Sequence, residues 1–413
     1  MPITLSFSDR NTLRSLAHTY MSYALSEQNC EKRRLWQALN DMRPEKPMVT
    51  IHQMPWEELE QDPDLICTVE DGYFRGVERQ LRREIYCWEH LPADMVLNPY
   101  LILPRPISNT GFGLVTKRLQ HNSSGQVQTH LFDDQLAELE DVEKIKTPTI
   151  TLNPTAEEEI MTLAQEIFDG IIPLKWSGIM LHSGLWDFIT FWKGVESCYI
   201  DLLDRPELIH AIMEHYTNAF LAHIDQINEL GLYDAVSNIC HCSHTFGSRL
   251  PAPTSEHVTT HQGWTYSMAQ LFTSVSPAIN EEFEVPYMSR IFEKFGSVYY
   301  GCCERLDDRL HIISRMPNIR KVSCSPWSDR EHFAEVLPKH YIMSNKPTPA
   351  YLAGASFDEE LIRKDLRRTI AAAKRNGLGL ELLLKDITTV GGDPRRLWRW
   401  SEIAMEETAN AAL

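Results

Sequence analysis

Residues 297–345 read SVYYGCCERLDDRLHIISRMPNIRKVSCSPWSDREHFAEVLPKHYIMSN. Three short segments that read as strands, 297–303, 320–325 and 340–344, are separated by helical stretches around Arg309–Met316 and Asp329–Leu337. Runs of four to eight apolar residues spaced by helical periodicity predict strand–helix alternation, and that alternation implies parallel pairing of the strands. Working outward, the same rhythm predicts further strands at 48–52, 95–103, 178–182, 235–241 and 380–385. A long helix over Asp358–Asn376 ends at Gly377, a natural C-terminal glycine, and a closing helix spans Pro394–Glu407. Eight such units predict a (β/α)8 TIM barrel. No Gly-x-Gly-x-x-Gly follows any of the runs, so a dinucleotide-binding open sheet has no support.

Two flanking segments stand outside this rhythm. Residues 1–45 predict an N-terminal helical extension, with Ser8-Asp9 as a cap and a break at Arg43-Pro44-Glu45-Lys46-Pro47. The barrel domain then occupies 46–413, and the polar stretch 105–150 reads as an insertion in it, with Val127–Leu131 as part of a hairpin. The tract His241–His261 holds four histidines and few helix signals, and it predicts a mobile loop.

Composition narrows the function. The chain has 413 residues with a formal net charge of -17, which argues against binding nucleic acid or an anionic membrane surface. No apolar run approaches the roughly 18 residues of a membrane span, and Met1–Arg10 lacks a signal-peptide pattern, so a cytoplasmic location is expected. Nine cysteines in a long chain do not form a disulfide framework. Cys30, Cys67, Cys87 and Cys198 read as small buried hydrophobes.

The other cysteines fall where a barrel does its chemistry, at the C-terminal ends of the strands. The fourth predicted strand ends in Cys240-His241-Cys242, the fifth in Cys302-Cys303-Glu304, and the sixth carries Cys324. Thiolates and an imidazole converging from adjacent strands suit zinc, so His241, Cys302, Cys303 and Cys324 are the candidate metal ligands. Side-chain alternation puts Tyr300, Cys302 and Glu304 on one face and Cys303 on the other, unless the strand has already ended. Packing by small buried residues, or a redox pair, are the competing readings of these cysteines. Glu304, His182, Lys385 and Asp386 are candidate acid–base groups, although Lys385-Asp386 is equally readable as an ion pair. Asn345, Lys346, Trp327 and Tyr300 are candidate contacts to a small-molecule substrate, and Trp264, Tyr266 and Tyr299 are further aromatics able to line its pocket.

Three stretches carry a resemblance. Ile179–Gly194 (IMLHSGLWDFITFWKG) with Leu202-Leu203-Asp204-Arg205-Pro206-Glu207, Tyr341–Leu352 (YIMSNKPTPAYL), and Thr389–Pro394 (TVGGDP) resemble corresponding parts of the uroporphyrinogen decarboxylase superfamily. The resemblance covers about residues 45–410 and implies a (β/α)8 barrel, often dimeric. Its two activities are cofactor-free decarboxylation of porphyrinogen acetates and methyl transfer involving a corrinoid protein, often at a zinc-activated thiol. The decarboxylase branch has Gln-Ala-Gly-Arg after the first strand, where this chain reads His52-Gln53-Met54-Pro55. The methyltransferase branch has His-x-Cys on the fifth strand and a Cys after the eighth. Here those places read Tyr300-Gly301-Cys302-Cys303-Glu304 and Val390-Gly391-Gly392. The leading expectation is therefore a zinc-assisted methyltransferase with a rearranged ligand set, served by a corrinoid-carrying partner. A decarboxylase or lyase acting on a carboxylic acid, with Lys346, Lys385 or Arg305 holding the acid, is the alternative. A non-catalytic partner of a corrinoid protein is the third reading.

Overall fold

The computed structural model describes residues 3–120, 130–248, 258–409 and 411. Two helices, α1 (Phe7–Ala24) and α2 (Glu27–Asn40), precede the first strand, β1 (Met48–Ile51). Helix α1 starts two residues before the expected cap: Ser6 is the N-cap, and Asp9 closes a capping box with it. Helix α3 (Gly72–His90) leads to β2 (Leu101–Leu103) and later β3 (Leu174–Trp176), and α4 (Pro206–Glu229) precedes β4 (Trp264–Ser267). Strands β5 (Ser297–Tyr300), β6 (Ile319–Cys324) and β7 (Ile342–Asn345) follow. Helix α5 (Glu359–Asn376) then feeds β8 (Gly379–Leu384), and α6 (Arg395–Ala409) covers the sheet. As expected, Gly377 ends α5 in the left-handed conformation, at φ +64°.

Six strands form one parallel, curled sheet in the order β1-β8-β7-β6-β5-β4. Strand β8, Gly-Leu-Glu-Leu-Leu-Leu, is buried along its whole length, as a parallel strand covered on both faces must be. Strands β2 and β3 pair separately and also in parallel. Short contacts tie this pair to both edges of the larger sheet. The Asp94 N–H donates to the Val49 carbonyl at 2.8 Å on the β1 side, and His182 bridges Tyr266 on the β4 side. The main core lies between the sheet and its helices, with Trp186, Tyr216 and Trp400 fully buried in it. Each such side chain contributes on the order of 1.5–3 kcal/mol.

Three strand expectations are corrected. The fourth strand is not 235–241 but Trp264–Ser267, whose Trp-Thr-Tyr run is itself strand-favouring. Residues Ile239–Cys240 instead make a two-residue hairpin with Ser243–His244, because Asn238, His241 and Cys242 all adopt positive φ (56°, 45° and 67°). The third strand is Leu174–Trp176, and 178–182 contributes only single bridges at Ile179 and His182. Of the long second run, only Leu101–Leu103 is strand.

The insertion returns on itself. Ile107–Asn109 pairs antiparallel with Ile150–Leu152, and Arg118–Gln120 with His130–Phe132. Val127–Thr129 of the expected hairpin, and 249–257 of the His241–His261 loop, lie outside the described residues. Cys198 is buried as expected, but Cys30 is exposed and Cys67 and Cys87 are partly so.

Candidate active site

Side-chain alternation decides which strand-end residues meet. On β6, Lys321 and Ser323 turn to the concave side of the sheet, and Val322 and Cys324 turn outward into the helix-covered core. On β5, Tyr299 turns inward and bonds Ser344, whereas the Tyr300 hydroxyl points outward and donates to Glu284 at 2.8 Å. On β7 and β8, and at the residue that follows each, the inward side chains are Ser344, Lys346, Glu381 and Lys385.

Four residues expected at the site lie away from this interior face. Cys324 is fully buried in the apolar core, where burial pushes its thiol up to about 12. Tyr300 and Asn345 are buried too, and Asn345 donates to the Cys324 carbonyl at 3.5 Å. Trp327 is 77% exposed and packs into no interior wall.

The remaining candidates converge on Cys302. Strand β5 ends at Tyr300, and Gly301 (φ +95°) turns the chain there, so both neighbouring thiols reach the same spot. A Cβ at Gly301 would lie 2.6 Å from Leu306 Cδ1 and 2.9 Å from Ser323 Cβ, so only glycine fits this turn. The Cys302 and Cys303 sulfurs are 3.5 Å apart. Lys385 Nζ lies 3.1 Å from Cys302 Sγ and 3.4 Å from Asp386 Oδ2. Cys303 Sγ lies 3.6 Å from the same carboxylate oxygen. His241, carried in at the hairpin tip, is 3.5 Å from Lys385 Nζ and bonds Cys302. His241, Cys242 and Asp386 all hold left-handed backbone conformations, a cost typical of residues placed for function.

The electrostatics separate the two thiols. The Cys303 hydrogen bond, the His241 contact and the Lys346 charge outweigh burial and hold Cys302 far below an ordinary thiol. The hydrogen bond to Cys302, burial and the Asp386 charge hold Cys303 well above one. Burial opposes the charge of Lys385, but the Cys302 thiolate overrides it and raises the lysine. Burial lowers Lys346, which bonds Tyr299 at 3.2 Å and also Ser323. Burial lowers His241 to about 4, so it is neutral at physiological pH and donates an N–H to the thiolate.

Glu304 is fully enclosed and braces the turn. It accepts the Cys302 N–H at 2.8 Å and the Ala269 N–H at 3.3 Å. Burial and the Cys302 charge raise its pKa. His182 stacks on Tyr266 with ring centroids 4.6 Å apart, and Tyr266 in turn stacks on His241. Its Nε2 is buried without a hydrogen bond and lies 3.8 Å from Asp187. Burial lowers His182 to about 4, and burial with the Glu304 charge raises Asp187 to about 7.

Among the described residues, Cys302, Cys303 and Asp386 form a group whose ligand atoms lie within 4.8 Å of one another. Two sulfurs and one carboxylate suit a borderline-soft divalent ion such as zinc. With both thiols ionised, the three ligands and the Lys385 ammonium sum to about -2, which zinc neutralises. The donor set therefore fits the metal.

The sequence reading missed Lys321, Glu381, Asp187 and Ser323, which donates to the Cys302 carbonyl at 2.8 Å. Lys321 Nζ donates to Glu381 at 2.8 Å beneath the thiol site, where both are fully buried, and also to Ser243 at 2.6 Å. The signal was present for Glu381, the one charge in the otherwise apolar strand Gly379–Leu384, whereas Lys321 shares Ile319–Cys324 with the adjacent Arg320.

No protein-family model and no curated protein matches this chain. Among solved structures, a methyltransferase from Methanosarcina mazei superposes with a TM-score of 0.46 at 10% identity, over 90% of this chain and 97% of that one. No helix among the described residues is long and apolar enough to cross a membrane.

Proposed function

We propose that this protein is a thiol-centred methyltransferase built on a closed (β/α)8 barrel, with zinc at Cys302, Cys303 and Asp386. One observation carries the reading: a buried cysteine with an ammonium 3.1 Å from its sulfur and a second thiol and a carboxylate converging on it. A structural cysteine gains nothing from such surroundings, because a buried thiol packs best when neutral.

Bound zinc would supply Lewis acidity toward the methyl acceptor. The residues of the chain do the rest. Lys385 and His241 keep Cys302 deprotonated and fix its position. Glu304 holds the turn that presents both sulfurs. His182, neutral and with a free Nε2, takes the proton of the acceptor, and Asp187 stabilises the imidazolium that results. The acceptor atom then bonds the methyl carbon as the bond to the donor breaks, with its electron pair staying on the donor. Lys346 balances negative charge near the reacting atoms. The donor in this reading is a corrinoid carried by a partner protein, as the sequence resemblance implies.

The test is elemental analysis of protein purified without chelator or affinity metal, with methyl transfer from methylcobalamin to a small thiol assayed alongside. About one zinc per chain is expected, lost together with activity in Cys302→Ser/Cys303→Ser. Absence of both metal and methyl transfer in the wild-type protein removes this reading.

A further inference from the structure

Apart from the thiol pair, a cavity of about 320 Å3 lies between the N-terminal helices and the end of β1. That is within the size range of small-ligand pockets. Its walls are largely apolar, with Ile51, Leu91, Met95, Val96, Leu97 and Ile102 among them. Into this apolar space α2 delivers a lysine. Lys32 is 6% exposed, and its ammonium sits 4.2 Å from the centroid of the Trp88 ring.

Among the described residues, no carboxylate is hydrogen-bonded to that ammonium. The carboxylate whose charge acts on it, Asp94, is already engaged by Lys46 at 2.7 and 2.9 Å and by the Val49 N–H at 2.9 Å. The other cation of the wall, Arg83, is taken by Glu60 at 2.5 Å. Among the described residues, one more buried polar atom at this cavity, His52 Nε2, lacks a partner. An apolar chamber holding an unpaired ammonium is costly for an empty protein, since removing such a charge from water without a partner costs several kcal/mol.

We propose that this cavity binds a small apolar carboxylic acid, its carboxylate on Lys32 and its hydrocarbon body against Leu91, Val96 and Leu97. The anion supplies the missing partner, and the apolar walls take the rest of the molecule. Burial lowers Lys32 to about 8, which leaves it cationic at neutral pH. Burial raises Glu84, also on the wall, to about 7, so its carboxyl can donate to the bound carboxylate instead of repelling it. The site stands independently of the proposed methyl transfer. It is nevertheless linked to the thiol pair through one element, because the hairpin that carries His241 to Cys302 carries His244 to this cavity.

The experiment is isothermal titration calorimetry of the full chain with a series of linear, branched and aryl carboxylic acids and their matched primary amides. At least one acid is expected to bind with Kd below about 1 mM, roughly tenfold or more tighter than its amide. Lys32→Met should abolish that preference while the amide affinity stays the same. Val96→Trp, which fills the cavity, should abolish binding of both. No binding by any acid, equal binding of acid and amide, or a preference retained in Lys32→Met each overturns the proposal. If Lys32→Met loses its cooperative thermal transition, the acid-to-amide ratio of the wild type and the effect of Val96→Trp decide the matter.

Discussion

Replacing Lys385 with Met removes the ammonium that touches Cys302 and keeps the length and apolar stem of the side chain. At 3.1 Å, and with an effective dielectric of about 20, the lost attraction is about 5 kcal/mol. Lys346 and His241 stay in place, and water enters the vacated volume, so about half of that survives as a change in titration. In metal-free protein the Cys302 thiol should therefore titrate about 2 pKa units higher in the variant. The assay is thiolate absorbance in the far ultraviolet against pH, with the curve for a Cys302→Ser background subtracted. Lys385→Arg, which keeps the charge, should move the titration much less than Lys385→Met. If Lys385→Met leaves the Cys302 titration within about half a unit of wild type, the lysine does not hold the thiolate and the site needs another account.

The buried pair Lys321–Glu381 should behave as a unit: Lys321→Met leaves an unpaired buried carboxylate and should cost about 3–5 kcal/mol, and Lys321→Met/Glu381→Leu should recover most of it in chemical denaturation. A double variant no more stable than the single would contradict this. Burial holds His52, His182, His223 and His241 near 4, below their unfolded value of about 6.5, so the unfolded chain binds more protons between those limits. The contribution of these histidines to stability should therefore fall as pH drops from about 6.5 to 4, against the opposite contribution of buried Glu84, Asp187 and Glu284, and His223→Gln, remote from the thiols, should change the slope by about one proton. An unchanged slope would show that His223 is not buried neutral. Gly301→Ala places a Cβ against Leu306 and Ser323 at positive φ, so it should destabilise by roughly 1–3 kcal/mol and slow methyl transfer by displacing both sulfurs. Wild-type stability and rate in that variant would mean that the turn does not position the thiols.

Much of the fold was legible because parallel strands announce themselves. Ile319–Cys324, Ile342–Asn345 and Gly379–Leu384 are short apolar runs between helices, and all three form strands close to where periodicity puts them. The errors fall where a run is not regular strand. Ala235–His241 has strand-like composition, but Asn238, His241 and Cys242 hold left-handed conformations that no local pattern announces. Tertiary context makes that segment a hairpin and gives its place in the sheet to Trp264–Ser267.

For the site, residue type was informative and direction was not. Cys302, Lys346 and Lys385 converge while Tyr300, Asn345 and Cys324 turn away, although all six lie at strand ends. Adjacent residues of one strand differ by a full reversal, so a register uncertainty of one residue exchanges the two sets. One clue to the register was available. A charge inside an apolar strand is tolerated only where a partner can reach it, which puts Lys321 and Glu381 on the same interior face. Counting by two from Lys321 selects Ser323 and rejects Cys324, and counting by two from Glu381 selects Lys385. Arg320, one residue earlier, would select the opposite face by the same counting, so it is the observed Lys321–Glu381 ion pair that fixes which strand-end groups can meet the thiolate.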